Sequence, residues 1–361
     1  MPDLLSRVPC ILFRELAPGS NSLNGMVEKK HIKVLVIRFS SIGDIVLCSP
    51  VLRCLKQIPG VDCEVHVVTK SQNREVLAHN PHVHKLHLLE GSLRSLLGKL
   101  RAEGFHYIID LHHNLRSAMV KACLRKPSGS FMKLNLEKWL LTRFKIDRLP
   151  ATHIVERYFD AAAFLGVEND GGGLDFFLSG DADKVPALIP EHFTASYTAF
   201  AIGGRHATKR LPNEKIISLC QALPGQVILL GGREDKPNGD VIAQACGHKV
   251  FNACGLLSLQ QSARLVKDAR LVISHDTGLM HIAAAFNKHI ISIWGNTVPA
   301  FGMEPYMPAF PERSVKIEVE GLPCRPCSKI GFSKCPKKHF DCMKKIDEEK
   351  IIRAAKDVLT P

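Results

Sequence analysis

The chain has 361 residues, of which 45% are hydrophobic and 23% charged, and it carries a formal net charge of +13. That length holds two domains of ordinary size, each with its own core, and the balance is that of a globular chain rather than a disordered or fibrous one. No apolar run approaches the ~20 residues that span a bilayer.

Residues 1–31 read as an N-terminal extension. Its apolar patch, Ile11 to Phe13, is short and flanked by Arg7 and Arg14, which argues against a signal peptide and leaves Met26 as an alternative start. From residue 32 onward, apolar runs of strand length alternate with amphipathic helical segments, the signature of parallel α/β units. Strands are expected at Lys33–Arg38, Glu64–Thr69, Lys85–Leu89 and Tyr107–Leu111, with helices starting near Asp44, Ser71 and Leu93. After the break at Gly171-Gly172-Gly173, a second series follows at Tyr197–Ile202, Gln226–Leu230, Arg270–Ser274 and Ile290–Trp294, with helices after Pro212, Ser258 and Thr277. Two doubly wound domains are therefore expected, 32–175 and 176–346, with an amphipathic closing helix at 347–361. Ligands of such domains bind at the carboxyl ends of the strands.

Every chemistry-bearing stretch falls just after an expected strand. The first is Arg38-Phe39-Ser40-Ser41-Ile42-Gly43-Asp44, where an acid stands in place of a glycine-rich phosphate loop. Asp44 there suits a helix cap or a general base. The fourth strand runs into Asp110-Leu111-His112-His113-Asn114-Leu115-Arg116-Ser117. In the second half, Thr208 and Lys209 suit a diphosphate, although Lys209 beside Arg205 and Arg210 also reads as surface charge. Glu234 after Gly231-Gly232 suits ribose hydroxyls. Thr277 and Gly278 begin a helix whose free N–H groups suit a phosphate. Asp276 caps that helix equally well, and His281 alone reads as a core histidine.

Charge is uneven. Asn114 to Arg148 holds nine Lys/Arg against Glu137 and Asp147, which suits a polyanionic partner or simply a solvated basic face. Aromatic residues are sparse among these charges, so base-stacking platforms are not evident. Within the stretch, Leu136, Trp139, Leu140 and Phe144 form either a membrane-facing strip or a core face.

The tail carries Cys324, Cys327, Cys335 and Cys342, with His339 nearby. Structural zinc or iron on four thiolates, reduced thiols and, less readily, disulfides all fit, although the spacing is not that of a standard zinc ribbon. Eight further cysteines lie singly in apolar contexts, as small hydrophobes do.

The motifs R-F-S-S-I-G-D, D-L-H-x-N-L-R-S, K-R-x-P, G-G-x-E-D and D-T-G-x-M-H, in that order, resemble glycosyltransferase family 9, the ADP-heptose:lipopolysaccharide heptosyltransferases. The resemblance runs from about residue 32 to the C-terminus. It implies a GT-B fold of two Rossmann-like domains facing a cleft, the N-terminal one binding acceptor and the C-terminal one ADP-sugar. It also implies inverting transfer that requires no cofactor. By it, Asp44 matches the catalytic base and Lys209, with Thr208, the stabiliser of the diphosphate. Thr277 and Gly278 match a phosphate cradle, Glu234 a ribose contact with Asp235 as the alternative, and Asp276 and His281 further donor-site positions. Ser41, Gly43, His112, Asn114 and Arg116 fall to the acceptor side. Two departures stand out: His113 where the family commonly has Gly, and Leu211 where Trp is frequent.

The partners so implied are ADP-heptose, an anionic lipid A–Kdo or heptose acceptor, and the cytoplasmic face of an inner membrane, with no nucleic acid. Similar cysteine-bearing tails occur in the family, some of them iron-binding. Two other readings remain: a family member acting on a protein or capsule sugar, and a nucleotide-sugar-binding protein without turnover.

Overall fold

The computed structural model describes residues 29–360; the expectations for the N-terminal extension and its alternative start fall on residues 1–28, outside those described. The chain divides into two compact units. One comprises the chain through Lys133 together with Ile154–Gly172, the other Leu134–His153 together with Gly173 onward.

The first unit is built on a five-stranded parallel sheet in the order β3-β2-β1-β4-β5. Its strands are β1 (Lys30–Ile37), β2 (Val61–Lys70), β3 (Lys85–Leu89), β4 (Tyr107–Asp110) and β5 (Ser128–Ser130). Central strand β1 ends in the run Val34-Leu35-Val36-Ile37, every side chain of which is fully buried. Such a run is apolar on both faces because helices cover both, which is why it shows no alternation in sequence. On one face Leu35, Ile37 and Val68 pack with Leu96 and Leu100 of the helix Leu93–Ala102 and with Phe105.

The second unit carries a six-stranded parallel sheet in the order β11-β10-β9-β6-β7-β8. These are β6 (Tyr197–Ala201), β7 (Gln226–Leu230), β8 (Val250–Asn252), β9 (Leu271–His275), β10 (His289–Trp294) and β11 (Ser314–Glu318). The closing helix, Glu348–Leu359, starts on Asp347, whose carboxylate accepts from the Lys350 N–H at 3.2 Å. It buries Ile351 and Ala355 against the core that contains Leu219 and Ile293.

Three strands escaped the sequence pattern: β5, β8 and β11. Two of them are three residues long, and all three are edges, where burial on one side leaves only a weak apolar signal. Leu134–His153 also groups with the second unit rather than with the 32–175 segment in which the sequence placed it. Lys145 Nζ donates to the carbonyls of Cys324 (3.1 Å) and Pro326 (2.7 Å), and His153 Nε2 lies 2.9 Å from the carbonyl of Glu304. These are long-range contacts that no local pattern encodes.

Candidate functional site

In each unit the strand order reverses beside the first strand of that unit, between β1 and β4 and between β6 and β9. At such a switch point the flanking loops diverge and leave room for a ligand. Four of the five motifs start at the carboxyl ends of these four strands, and the Gly231-Gly232 turn follows the neighbouring β7.

After β1 the chain turns into a single helical turn, Ile42–Val46, capped by Ser41. Asp44 Oδ2 accepts from the Ser41 N–H (3.0 Å) and Oγ (2.8 Å), while Oδ1 lies 2.6 Å from the Arg38 guanidinium. Burial pushes the Asp44 carboxyl up, but Arg38 and the two Ser41 bonds outweigh it and hold Asp44 below the usual carboxylate range. Arg38 also donates to the carbonyls of Ser40 (2.8 Å) and Leu111. It thereby ties the loop after β1 to the loop after β4. The turn is braced from β2's side as well, because Asn73 Nδ2 donates to the Phe39 carbonyl at 3.0 Å.

In the second loop buried Asp110 accepts from the N–H groups of His112 (3.0 Å) and His113 (2.7 Å), and Lys121 lies 3.1 Å from its other oxygen. His112 packs edge-on against Phe39, and burial, reinforced by Arg38, lowers its pKa to about 4, so the ring is neutral near pH 7. His113 has φ 49°, a left-handed conformation that glycine adopts at no steric cost. Here the imidazole meets the Phe131 carbonyl at 2.8 Å. Asn114 caps the helix Leu115–Leu124, its side chain accepting from the Ser117 N–H at 3.0 Å. Ser41 and Arg116 are exposed and Gly43 is buried. Asp44 is thus held directly by Arg38 and Ser41, and Arg38 reaches the His112 loop through the Leu111 carbonyl, while Asn114 serves its own helix and Arg116 points to solvent.

In the second unit the loop after β6 forms a short turn, Ala207–Lys209. Lys209 Nζ lies 2.5 Å from Asp276 Oδ2, which also accepts from Thr297 Oγ1 at 3.0 Å. The helix Gly278–Ala285 follows, and its N-cap residue Thr277 makes no side-chain cap bond, so the first-turn N–H groups face outward from β9. Thr208 is buried and committed to the protein: its hydroxyl donates to the Phe332 carbonyl (3.1 Å) and accepts from the Phe332 N–H (2.8 Å). His281 is buried on the inner side of its helix.

Of the two acids after β7, Asp235 is the internal one. It accepts from the Gly232 N–H at 2.9 Å and from Arg210 at 3.0 Å, whereas Glu234 is exposed. A Cβ at Gly203 would stand 2.4 Å from the Asp235 carboxylate, so glycine there lets the two loops meet. Buried His275 accepts from the Leu211 N–H at 3.1 Å and is held neutral, its pKa lowered by burial to about 4.

The cysteine-bearing tail lies against this site. Arg325 donates to the carbonyls of Gly295 (2.6 Å) and Thr297 (2.9 Å), behind the Thr297 hydroxyl that reaches Asp276. Cys324 Sγ is 3.8 Å from His339 Nε2. Cys327 and Cys342 each lie within electrostatic reach of the other tail cysteines, although no three donor atoms of these cysteines and His339 lie within 4.8 Å of one another. Burial pushes the Cys327 thiol up and that of Cys342 up to about 12, the neutral form of reduced cysteine.

Two residues that organise the site escaped the sequence reading. Arg38 opens the first motif but its residue type alone gives it no role there, and Arg325 shows itself only as a residue between two cysteines.

Residues 93–334 match the family model of glycosyltransferase family 9 (heptosyltransferase). Among curated relatives, lipopolysaccharide heptosyltransferase 1 of Campylobacter coli is 26% identical over 353 residues, covering 91% of this chain and 99% of the relative. Lipooligosaccharide heptosyltransferase 2 of Haemophilus influenzae is 27% identical over 299 residues, covering 75% and 85%. The solved Escherichia coli ADP-heptose lps heptosyltransferase II superposes with a TM-score of 0.69 at 21% identity, over 91% of this chain and 98% of that one. The fold is GT-B, and with two thirds of its length matched by the family model the chain belongs to glycosyltransferase family 9, the heptosyltransferases.

Proposed function

We propose that this enzyme is an inverting transferase that moves heptose from ADP-heptose to the inner core of lipopolysaccharide, with Asp44 as general base. The observation that carries the reading is the setting of Asp44: in the helical turn that follows β1, ionised, and aimed by Arg38 and Ser41. An acceptor hydroxyl within hydrogen-bond reach of Asp44 gives up its proton to the carboxylate as its oxygen bonds to the anomeric carbon. The bond from that carbon to the diphosphate breaks on the opposite face, and ADP leaves with the electron pair.

A low pKa makes Asp44 a weak base, yet the attacking hydroxyl turns strongly acidic as the new bond forms, so a late transfer needs little basicity. The charge gained by the leaving group is met by Lys209 and by the N–H groups that open the helix Gly278–Ala285. Lys209 is held by Asp276 and is released to the diphosphate when ADP-heptose binds. Glu234, exposed beside this site, takes the ribose hydroxyls. The relatives named as heptosyltransferases support heptose as the sugar and lipopolysaccharide as the acceptor. No step calls for a metal.

The acceptor is lipid-anchored in this reading, and the helix Asn135–Phe144 is the element suited to its surface. Leu136 (62% exposed), Trp139 (52%) and Phe144 (54%) are exposed, with the cations Arg143 and Arg148 exposed in the same segment, while Leu141 is buried. Apolar side chains interleaved with cations suit the anionic cytoplasmic face of a membrane. Among the described residues no helix is long and apolar enough to cross it.

ADP release from ADP-heptose with a panel of truncated lipid A–Kdo acceptors tests the assignment. Asp44→Asn should cut acceptor-dependent release by about 10²- to 10⁴-fold while leaving ADP-heptose affinity unchanged. Unaltered turnover would remove Asp44 from the chemistry, and no release with any acceptor would move the reading to a protein or capsule sugar.

A further inference from the structure

A second group of chemistry-bearing side chains lies in the first unit, toward the amino ends of its strands and away from Asp44. Alternation along β2 puts Asp62, Glu64 and His66 on one face. The parallel registers set His31 and Lys33 of β1 opposite Asp62 and Glu64, and Lys85 of β3 opposite His66. Glu64 Oε1 is 2.7 Å from His66 Nε2 and 3.2 Å from Nε2 of His84, just ahead of β3. One ligand atom from each of Glu64, His66 and His84 lies within 4.8 Å of the other two. His31 Nε2 stands 3.3 Å from the other Glu64 oxygen.

The group has a wet side and a dry side. His84 and His31 are 58% and 53% exposed, whereas His66 is fully buried. Behind His66, its Nδ1 meets Nε2 of buried His87 at 2.9 Å with the rings stacked, and Glu103 lies 3.9 Å from the same Nδ1. Nothing in the proposed transfer uses these residues.

We propose that Glu64, His66 and His84 form a binding site for a divalent transition-metal cation of the zinc class, which fastens edge strand β3 to β2. Two imidazole nitrogens and a carboxylate oxygen are a donor set that such cations favour, with open positions left for water. The dry side supplies what a ligating imidazole needs. With Nε2 on the metal, the His66 Nδ1–H donates to His87 Nε2, which fixes the tautomer and the ring orientation. Lys33, 3.6 Å from Glu64, yields that contact when a cation binds. Asp44, Lys209 and the tail cysteines take no part.

The test uses the full-length chain carrying Cys324→Ser and Cys327→Ser, to weaken thiolate binding in the tail, stripped of metal and titrated with zinc chloride by calorimetry. One equivalent should bind, and His84→Ala and Glu64→Gln should each weaken it by roughly tenfold or more. His84 is exposed, so its alanine variant keeps the fold, which circular dichroism verifies. Cobalt(II) bound in place of zinc should show visible bands without the intense near-ultraviolet band of thiolate ligation. No binding, equal binding by the His84→Ala/Glu64→Gln double variant, or a thiolate-type cobalt spectrum would each overturn the proposal.

Discussion

Asp44 illustrates how a neighbour sets the chemistry of a residue. Burial alone would favour its neutral form; the Arg38 guanidinium at 2.6 Å reverses that and keeps it ionised. An activity limb that reports Asp44 therefore lies below the usual carboxylate range in the native enzyme. Replacing Arg38 by Gln removes the opposing charge and leaves burial dominant, so the Asp44 pKa rises. The acid limb of kcat/KM should accordingly move to higher pH in Arg38→Gln, with stability falling by about 3 kcal/mol because one member of a buried pair is left behind. A pH profile and a denaturant titration read the two effects separately; an unmoved limb would mean that Asp44 does not set it. Asp44 itself was legible in the sequence from its place after an apolar strand. Arg38's role was not, because the sequence does not say which way a strand-end cation turns.

At the scale of elements, loops at the switch points are held by partners distant in sequence. The turn Ala207–Lys209 rests on Phe332 through Thr208, and Asp276 rests on Thr297, which Arg325 braces. The tail thus braces the loops that the proposed reading assigns to the donor. Thr208→Val keeps the shape of the side chain but deprives the Phe332 N–H of its acceptor. It should cost about 1–2 kcal/mol of stability and raise KM for ADP-heptose without raising KM for the acceptor. Denaturation and steady-state kinetics check both, and equal rises in the two KM values would argue against a donor-side role. The sequence suggested a direct diphosphate contact for Thr208 from its residue type and neighbours; the partner that occupies its hydroxyl comes 124 residues later.

For the molecule as a whole, the proposed lipid acceptor requires a surface that meets a membrane, and the helix Asn135–Phe144 is its candidate. Trp139→Ala with Phe144→Ala should weaken sedimentation with vesicles containing anionic lipid by several-fold, and high salt should weaken what remains, since both apolar insertion and charge contribute. Turnover of a soluble, truncated acceptor should be unchanged. Vesicle binding equal to wild type would place the membrane contact elsewhere. The sequence left Leu136, Trp139, Leu140 and Phe144 open between a membrane strip and a core face; in the fold Leu136, Trp139 and Phe144 are exposed, Leu140 is half-buried and the neighbouring Leu141 is buried.

Two parallel α/β units, eight of the eleven described strands and the addresses of the motifs were all readable from sequence. They depend on local facts: a strand buried on both faces must be continuously apolar, and ligand loops follow the carboxyl ends of such strands. Tertiary structure decided the rest. It grouped Leu134–His153 with the second unit, chose Asp235 as the internal acid and Glu234 as the exposed one, and turned the Thr208 hydroxyl toward Phe332. It also gathered Glu64 and His66 of β2 with His84 from the bend just ahead of β3. Each of these depends on contacts across long sequence separations, and residue type alone does not specify which partner a polar group will meet when the chain closes on itself.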